Sequence, residues 1–401
     1  MPGRKPASTT TFGGAKPSSA RSGRCMRKPS GARILHVLPA APFGGLQVVV
    51  MALAQAQRER GWHVSIALTN RAAQATDMAR DAGLSVVQLG PSRPSAVRRL
   101  ARLARDPEVV VQSHCEPLWA SLVLALACPT RWLAHLHVYP DSRVSLRKSC
   151  GNWLQARFAH GFVAISESVK ASAVACGMAS PDRMPVAYNG IRQMPAGPPP
   201  GRNGRGPFRI GFVGRVVREK GIFEFIDCAA RFRDRTDVRF AVYGQGAELD
   251  EARTYAEALG LDGKVDFRGF VADMEEVWRE LDVLAMLSVR EPFGLVVLEA
   301  IAHGVAVIGY RNASGGAELL GKLDGGYLVA VDDPDALASL ILTLKNDGDG
   351  LGTALARGAA TVRSEFSMDA MERRMGAAYA QLLGPAAPVP PPPGRVLLDS
   401  R

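Results

Sequence analysis

The chain has 401 residues, 47% apolar and 22% charged, a soluble composition too long for one ordinary core, so two domains are expected. No run approaches the roughly 18 uninterrupted apolar residues of a membrane span, Leu118 to Ala127 being the nearest. Of the formal net charge of +11, seven come from the segment before Gly31, leaving +4; beyond Arg33 the basic residues run through amphipathic helices without aromatic interleaving, which argues against nucleic acid as a partner. The six cysteines, at 25, 115, 128, 150, 176 and 228, form no C-x-x-C pair and no zinc spacing, and read as reduced thiols of a cytoplasmic protein.

Residues 1–32 are rich in Ser, Pro, Gly, Lys and Arg, contain no acid, and read as a disordered basic tail. Met26, just ahead of the first strand pattern at Arg33 to Leu38, is a candidate natural start. After that strand, Pro42-Phe43-Gly44-Gly45-Leu46-Gln47 opens an amphipathic helix to about Arg60, followed by a strand at His63 to Leu68. Gly44 and Gly45 permit a close backbone approach by a ligand at the helix N-terminus. The full G-x-G-x-x-G is absent, so a dinucleotide site is not indicated.

Short apolar strands then alternate with helical segments, at Ser85 to Leu89, Val109 to Val111, Arg131 to Ala134 and Gly161 to Ile165. Such alternation predicts a parallel sheet with helices on both faces and ligands at the carboxyl ends of the strands. Those ends carry His114, then His135 and His137, then Ser166. Each histidine is equally readable as a packed core residue. Arg143, Arg147, Lys148 and Arg157 suit either anionic lipid or a solvated helix face.

A Pro- and Gly-rich linker, 195–206, separates a first domain at 33–194 from a second at 207–365. The second opens with a strand from Phe208 that ends in Gly214 and Arg215; Lys220 follows five residues later, so the two cations bracket one loop and suit a diphosphate. Another strand runs from Arg239 into Gly244 and Gly246. The apolar run Val283 to Leu287 leads into Glu291-Pro292-Phe293-Gly294-Leu295, the expected entry to a helix whose first N–H groups favour phosphate. Glu291 and Glu299 flank that site at different depths; the alternative is a helix cap and a solvated carboxylate. His303 reads as a C-terminal cap, and the D-x-D patterns at 332–335 and 347–349 as polar turns. Residues 366–384 form a last helix, and 385–401 a Pro-rich, disordered tail.

The spacing E-P-F-G-L-V-V-L-E-A, with G-R-V-V-R-E-K-G at 214–221, resembles the E-x7-E and G-R-x-x-x-x-K-G signatures of the retaining glycosyltransferases of family 4. Ala134-His135-Leu136-His137 resembles the A-H-S-H-N segment of capsule and exopolysaccharide members, with Val138 where Asn is usual. Val186 to Ile191 resembles the strand end that closes the first domain, and Ser314 to Glu318 the glycine-rich loop near the donor.

The resemblance implies an α/β protein of GT-B fold, two Rossmann-like domains facing a cleft, with the last helix crossing back onto the first domain. It implies retaining transfer from a nucleotide diphosphate sugar, without a metal or other cofactor, to a hydroxyl acceptor, a lipid-linked oligosaccharide or other glycan at the cytoplasmic membrane face. Arg215 and Lys220 would stabilise the leaving diphosphate, Glu291 hold sugar hydroxyls and Glu299 the ribose, while His114 would stand nearest the reacting carbon. Gly44, Gly45, Gly214, Gly244, Phe293, Gly294 and Leu295 would approach the donor and Phe270 its base; His135, His137 and Ser166 would lie on the acceptor side. A nucleotide-sugar-binding regulatory partner and a GT-B isomerase are the alternatives.

Overall fold

The computed structural model describes residues 33–41, 44–90, 92–128, 131–140, 146–195, 206–312 and 314–384. The terminal segments, the linker from 196 to 205, Pro42-Phe43 and Arg143 lie outside the described residues, as do the side chains of Arg147 and Lys148.

The first sheet is built from β1 (Arg33–Leu38), β2 (His63–Leu68), β3 (Ser85–Gln88), β4 (Val109–His114), β5 (Trp132–Leu136) and β6 (Gly161–Ala164). Between them run α1 (Gly45–Glu59), α2 (Ala73–Asp81), α3 (Arg93–Ala104), α4 (Leu118–Ala127) and α5 (Leu146–Phe158), and α6 (Glu167–Ala175) follows. The second sheet comprises β7 (Phe208–Val213), β8 (Val238–Tyr243), β9 (Val265–Gly269), β10 (Val283–Met286), β11 (Ala306–Tyr310) and β12 (Gly326–Val329). It is interleaved with α7 (Ile222–Ala230), α8 (Leu249–Ala258), α9 (Met274–Glu280), α10 (Leu295–Ala302) and α11 (Gly315–Leu320). The chain then runs through α12 (Pro334–Asn346), α13 (Gly348–Glu365) and α14 (Met368–Leu383).

Both sheets are parallel and six-stranded, ordered β3-β2-β1-β4-β5-β6 and β12-β11-β10-β7-β8-β9. β10 is an apolar run buried along its whole length, as a sheet covered on both faces requires, and β4 is buried throughout as well although its second half, Gln112 to His114, is polar. In each sheet the strand order reverses once, between β1 and β4 and between β7 and β10. The crevice above such a reversal, outside the strands' carboxyl ends, is where open α/β sheets bind ligands.

One apolar cluster joins the two sheets. It packs Leu136, Phe162 and Ile165 with Met286, Phe293, Val297 and Phe366, all buried. α14 returns to the first sheet and packs Met371, Met375 and Tyr379 into its core beside α1. The segment expected to form a strand, Val186 to Ile191, makes only isolated bridges, Ala164 with Val186 and Ile191 with Ser367. Its glycine has a steric reason: a Cβ on Gly190 would stand 2.5 Å from the carbonyl oxygen of Ser367, where the chain enters α14.

Two further expectations are corrected. β4 does not end at Val111 but runs on to His114, so that histidine belongs to the strand rather than to the loop after it. The D-x-D patterns are helix starts: Asp333 accepts from the Ala336 amide at 2.8 Å to cap α12, and Asp347 is the N-cap residue of α13. His303 does close α10, its Nδ1 lying 2.7 Å from the carbonyl of Glu299.

Candidate functional site at the second switch point

The loops after β7 and β10 meet where the second sheet reverses. The first turns sharply at Gly221, whose φ of +79° is left-handed and where a Cβ would stand 2.5 Å from the Leu287 carbonyl, so only glycine fits against the end of β10. That contact delivers Lys220 to Glu291, Nζ to Oε2 at 2.6 Å, the side chains 28% and 14% exposed. Arg215 lies exposed on the same loop.

Glu291 and Pro292 lead into α10 through Gly294, an N-cap residue in the left-handed conformation. No side chain caps this terminus and its first turn holds no acid, leaving its positive end open to an anion. Glu299 lies inside the same helix, where burial pushes its carboxyl up to about 7. From the other side, Gly315 and Gly316 press on the loop, and a Cβ on Gly315 would stand 2.0 Å from the Pro292 carbonyl. The Gly316 amide donates to the Glu291 carbonyl at 3.1 Å.

Beyond β7, Gly214 and Gly244 lie against each other, and the Gly244 amide donates to the Gly269 carbonyl at 2.7 Å. Phe270 follows, 70% exposed, a flat apolar surface at the rim. Phe293 is different: its ring is buried and tilts against Tyr188 at 6.3 Å, so only its backbone is available to a ligand.

The first domain meets this site through two groups of contacts. Gly44 and Gly45, exposed at the start of α1, face the second domain, and a Cβ on Gly45 would lie 3.3 Å from Leu295. Tyr139 donates to the Glu291 carbonyl at 3.1 Å and accepts from the Gly315 amide at 3.0 Å, while Ser166 donates to the Pro292 carbonyl at 2.9 Å. Glu318 accepts from the amides of Glu167 and Ser168 at 3.1 and 2.9 Å and from the Tyr188 hydroxyl at 2.7 Å. It thus places a carboxylate on the positive end of α6, and burial together with that carboxylate pushes the Tyr188 phenol up.

These contacts correct two sequence readings. Ser166 is fully buried and spent on the interdomain bond and the α6 cap, so it does not face an acceptor. Glu318 holds the domains together rather than lying against the donor. Tyr139, Ser168 and Tyr188 were not anticipated; their partners lie more than 100 residues away, and no local pattern marks them.

The histidines require a larger correction. His114 is wholly buried with Nε2 at 2.9 Å from His36 Nδ1 and Nδ1 at 2.9 Å from His137 Nε2, so neither nitrogen reaches the reacting carbon. His135 is 1% exposed and bonded to Gln112, which removes it from the acceptor side. His137, just past the end of β5 and two residues before Tyr139, is the most exposed histidine of this group at 7%.

Residues 43–193 match the family model described as Glycosyltransferase Family 4, and residues 200–359 that described as Glycosyl transferases group 1. Among curated relatives, the chain is 33% identical to the lipopolysaccharide core biosynthesis glycosyltransferase LpsE of Rhizobium meliloti, over 43% of this chain and 48% of that protein. It is 30% identical to the Campylobacter jejuni N-acetylgalactosamine-N,N'-diacetylbacillosaminyl-diphospho-undecaprenol 4-alpha-N-acetylgalactosaminyltransferase, over 34% and 36% respectively. This chain therefore spans less than half the length of either relative. Among solved structures, Anabaena HepE in complex with UDP superposes with a TM-score of 0.74 at 22% identity, covering 86% of this chain and 98% of that one. That likeness fixes the architecture as GT-B.

Proposed function

We propose that this chain, which belongs to the family 4-like glycosyltransferases of GT-B fold, transfers a sugar from a nucleotide diphosphate sugar to a hydroxyl acceptor with retention of anomeric configuration. The observation that carries the reading is the meeting of Lys220, Glu291 and the uncapped end of α10 at one switch point. As the diphosphate departs, charge grows on its oxygens. Lys220, Arg215 and the α10 amides would supply the opposing positive charge, and preset donors are worth most in the transition state. This positive field removes the need for a metal. The acceptor hydroxyl attacks from the face that the leaving group vacates, Glu291 holds sugar hydroxyls, and Glu299 accepts from the ribose. Gly44, Gly45, Gly214 and Gly244 let the backbone close on the donor, and Phe270 covers its base.

A lipid-linked or glycan acceptor of polysaccharide synthesis is the natural partner, supported by what the two curated relatives are named for. Access to such an acceptor would be by peripheral contact; among the described residues no helix is long and apolar enough to cross a membrane. α3, α4 and α5 pack side by side and expose Leu122, Leu126 and Trp153 beside Arg98, Arg99, Arg102 and Arg157. Apolar anchors among arginines suit an anionic bilayer surface.

Screening UDP-, GDP- and ADP-sugars for nucleoside diphosphate release with an undecaprenyl-diphosphate-linked glycan tests the reading. Acceptor-dependent release from one donor class supports it; binding of donor without release, whatever the acceptor, contradicts it.

A further inference from the structure

Seven buried side chains of the first domain form one continuous hydrogen-bond chain, with members from β1, α1, β4, β5 and α14. Gln112 Nε2 meets His135 Nδ1 at 2.9 Å, and the Tyr379 hydroxyl donates to Gln112 Oε1 at 2.5 Å while accepting from Gln57 Nε2 at 3.1 Å. Gln57 Oε1 meets His36 Nε2 at 2.8 Å, after which His36 Nδ1 meets His114 Nε2 and His114 Nδ1 meets His137 Nε2, each at 2.9 Å. The parallel register sets His36 beside Gln112 and His114 beside His135, all on the sheet face covered by α1 and α14.

The chain has a direction. Burial lowers the pKa of all four imidazoles, His36 to about 4 and His137 to about 3, so each is neutral at pH 7 and carries one N–H. Because Gln57 gives its amide to Tyr379, its oxygen faces His36 and requires a proton on His36 Nε2. His36 Nδ1 is then bare and accepts from His114 Nε2–H. His114 Nδ1 in turn accepts from His137 Nε2–H, which leaves His137 Nδ1 as a lone pair at the more exposed end of the chain. Turning over one glutamine alone would set two donors or two acceptors against each other in a buried site, whereas turning over both would reverse every bond and move the His137 proton to Nδ1, so the network couples its two ends as one unit. At the other end of the chain His135 Nε2 is buried without a partner.

We propose that Tyr379 is a positioning residue of the transfer reaction: through Gln57, His36 and His114 it holds His137 as the Nε2–H tautomer, presenting Nδ1 as an acceptor to a substrate hydroxyl. The proposal rests on the glycosyl-transfer reading above. It assigns the last helix, which returns from the second domain, a part in tuning a cleft residue of the first. His114, His135 and His137 also bring one nitrogen each within 4.8 Å of one another, a spacing compatible with a divalent ion. An ion there would have to break the chain, because both nitrogens of His114 and Nε2 of His137 are already engaged.

Long-range proton–nitrogen NMR on the full chain labelled with 15N-histidine reads the tautomers directly. At pH 7.5 the wild type is expected to show His36, His114, His135 and His137 as neutral Nε2–H forms. Tyr379→Phe frees Gln57 to turn, so His137 becomes a mixture while His63, His160 and His303 are unchanged; Gln57→Leu cuts the chain on the same side and does the same. Donor kcat/KM then falls by the factor lost from the Nε2–H fraction, about two-fold if the tautomers equalise, with stabilisation by UDP preserved. A wild-type His137 protonated on Nδ1, a metal-type shift on adding equimolar Zn2+ with loss of the chain, or an unchanged His137 in both variants would overturn the proposal. Absence of any nucleotide-induced stabilisation in the wild type would instead count against glycosyl transfer, and the tautomer result separates the two.

Discussion

Removing the Lys220 ammonium by Lys220→Ala separates what the ion pair does for the fold from what it does for the reaction. The pair is 2.6 Å long but its lysine side chain is 28% exposed, so its ground-state worth is that of a partly solvated salt bridge, about 0–1 kcal/mol. For a domain of this size that moves the melting temperature by no more than about 4 °C. In the proposed reaction the same ammonium would face charge on the departing diphosphate, where one preset donor is worth about 3–4 kcal/mol, or a factor of 10² to 10³ in kcat. Steady-state kinetics with saturating acceptor, beside thermal unfolding of both proteins, should show kcat reduced by that factor, donor KM changed by less than about five-fold, and near-parental stability. A kcat within three-fold of the parent, or a loss appearing wholly in KM, would refute the transition-state role.

Other expectations follow from neighbouring groups. The Glu299 carboxyl is raised to about 7 in the folded chain, above its unfolded value, so the folded state binds more protons and stability falls as pH rises from about 4.5 through 7. Glu299→Gln should flatten that slope in urea denaturation at pH 5 and 8; an unchanged slope would show that another group sets it. If ribose hydroxyls donate to ionised Glu299, UDP binding at pH 7 should release up to about half a proton, seen as a buffer-dependent enthalpy in calorimetry; no buffer dependence would separate Glu299 from the ribose. Glu318→Ala removes three hydrogen bonds between the domains and should raise cleavage by trypsin within the linker at least three-fold while the far-ultraviolet spectrum is kept. Equal cleavage rates would mean that the apolar cluster alone holds the domains. Leu126→Glu with Trp153→Glu should abolish co-sedimentation with vesicles containing 30% anionic lipid but leave soluble-donor hydrolysis intact, and retained sedimentation would point to another surface.

The motifs of the second domain were legible because each is a short strand, loop and helix start. Lys220, Gly294 and Glu299 announce themselves by local spacing, and the strand order needs only the alternation of elements. What brings Lys220 onto Glu291 is the β7–β10 pairing, which sequence order alone does not display. The first domain was harder for the same physical reason. Tyr139 reaches across 152 residues to Glu291, and Glu318 across 151 to α6. The histidines carried a usable signal that strand-end chemistry obscured. Ile34 and His36, Val110, Gln112 and His114, and Leu133, His135 and His137 share the two-residue period of one sheet face. That period assigns the histidines to the same buried layer as Ile34, Val110 and Leu133, but the helix that covers them, α14, lies more than 200 residues further along the chain.

In the proposed reaction a nucleotide diphosphate seats on the end of α10 beside Lys220. Amide hydrogen exchange with and without UDP, GDP or ADP measures this at the groups concerned. At least one nucleotide should slow exchange in the peptides spanning Arg218 to Ile222 and Phe293 to Val297, and Lys220→Ala should weaken the effect. Protection confined to other segments, or none with any of the three, would contradict it.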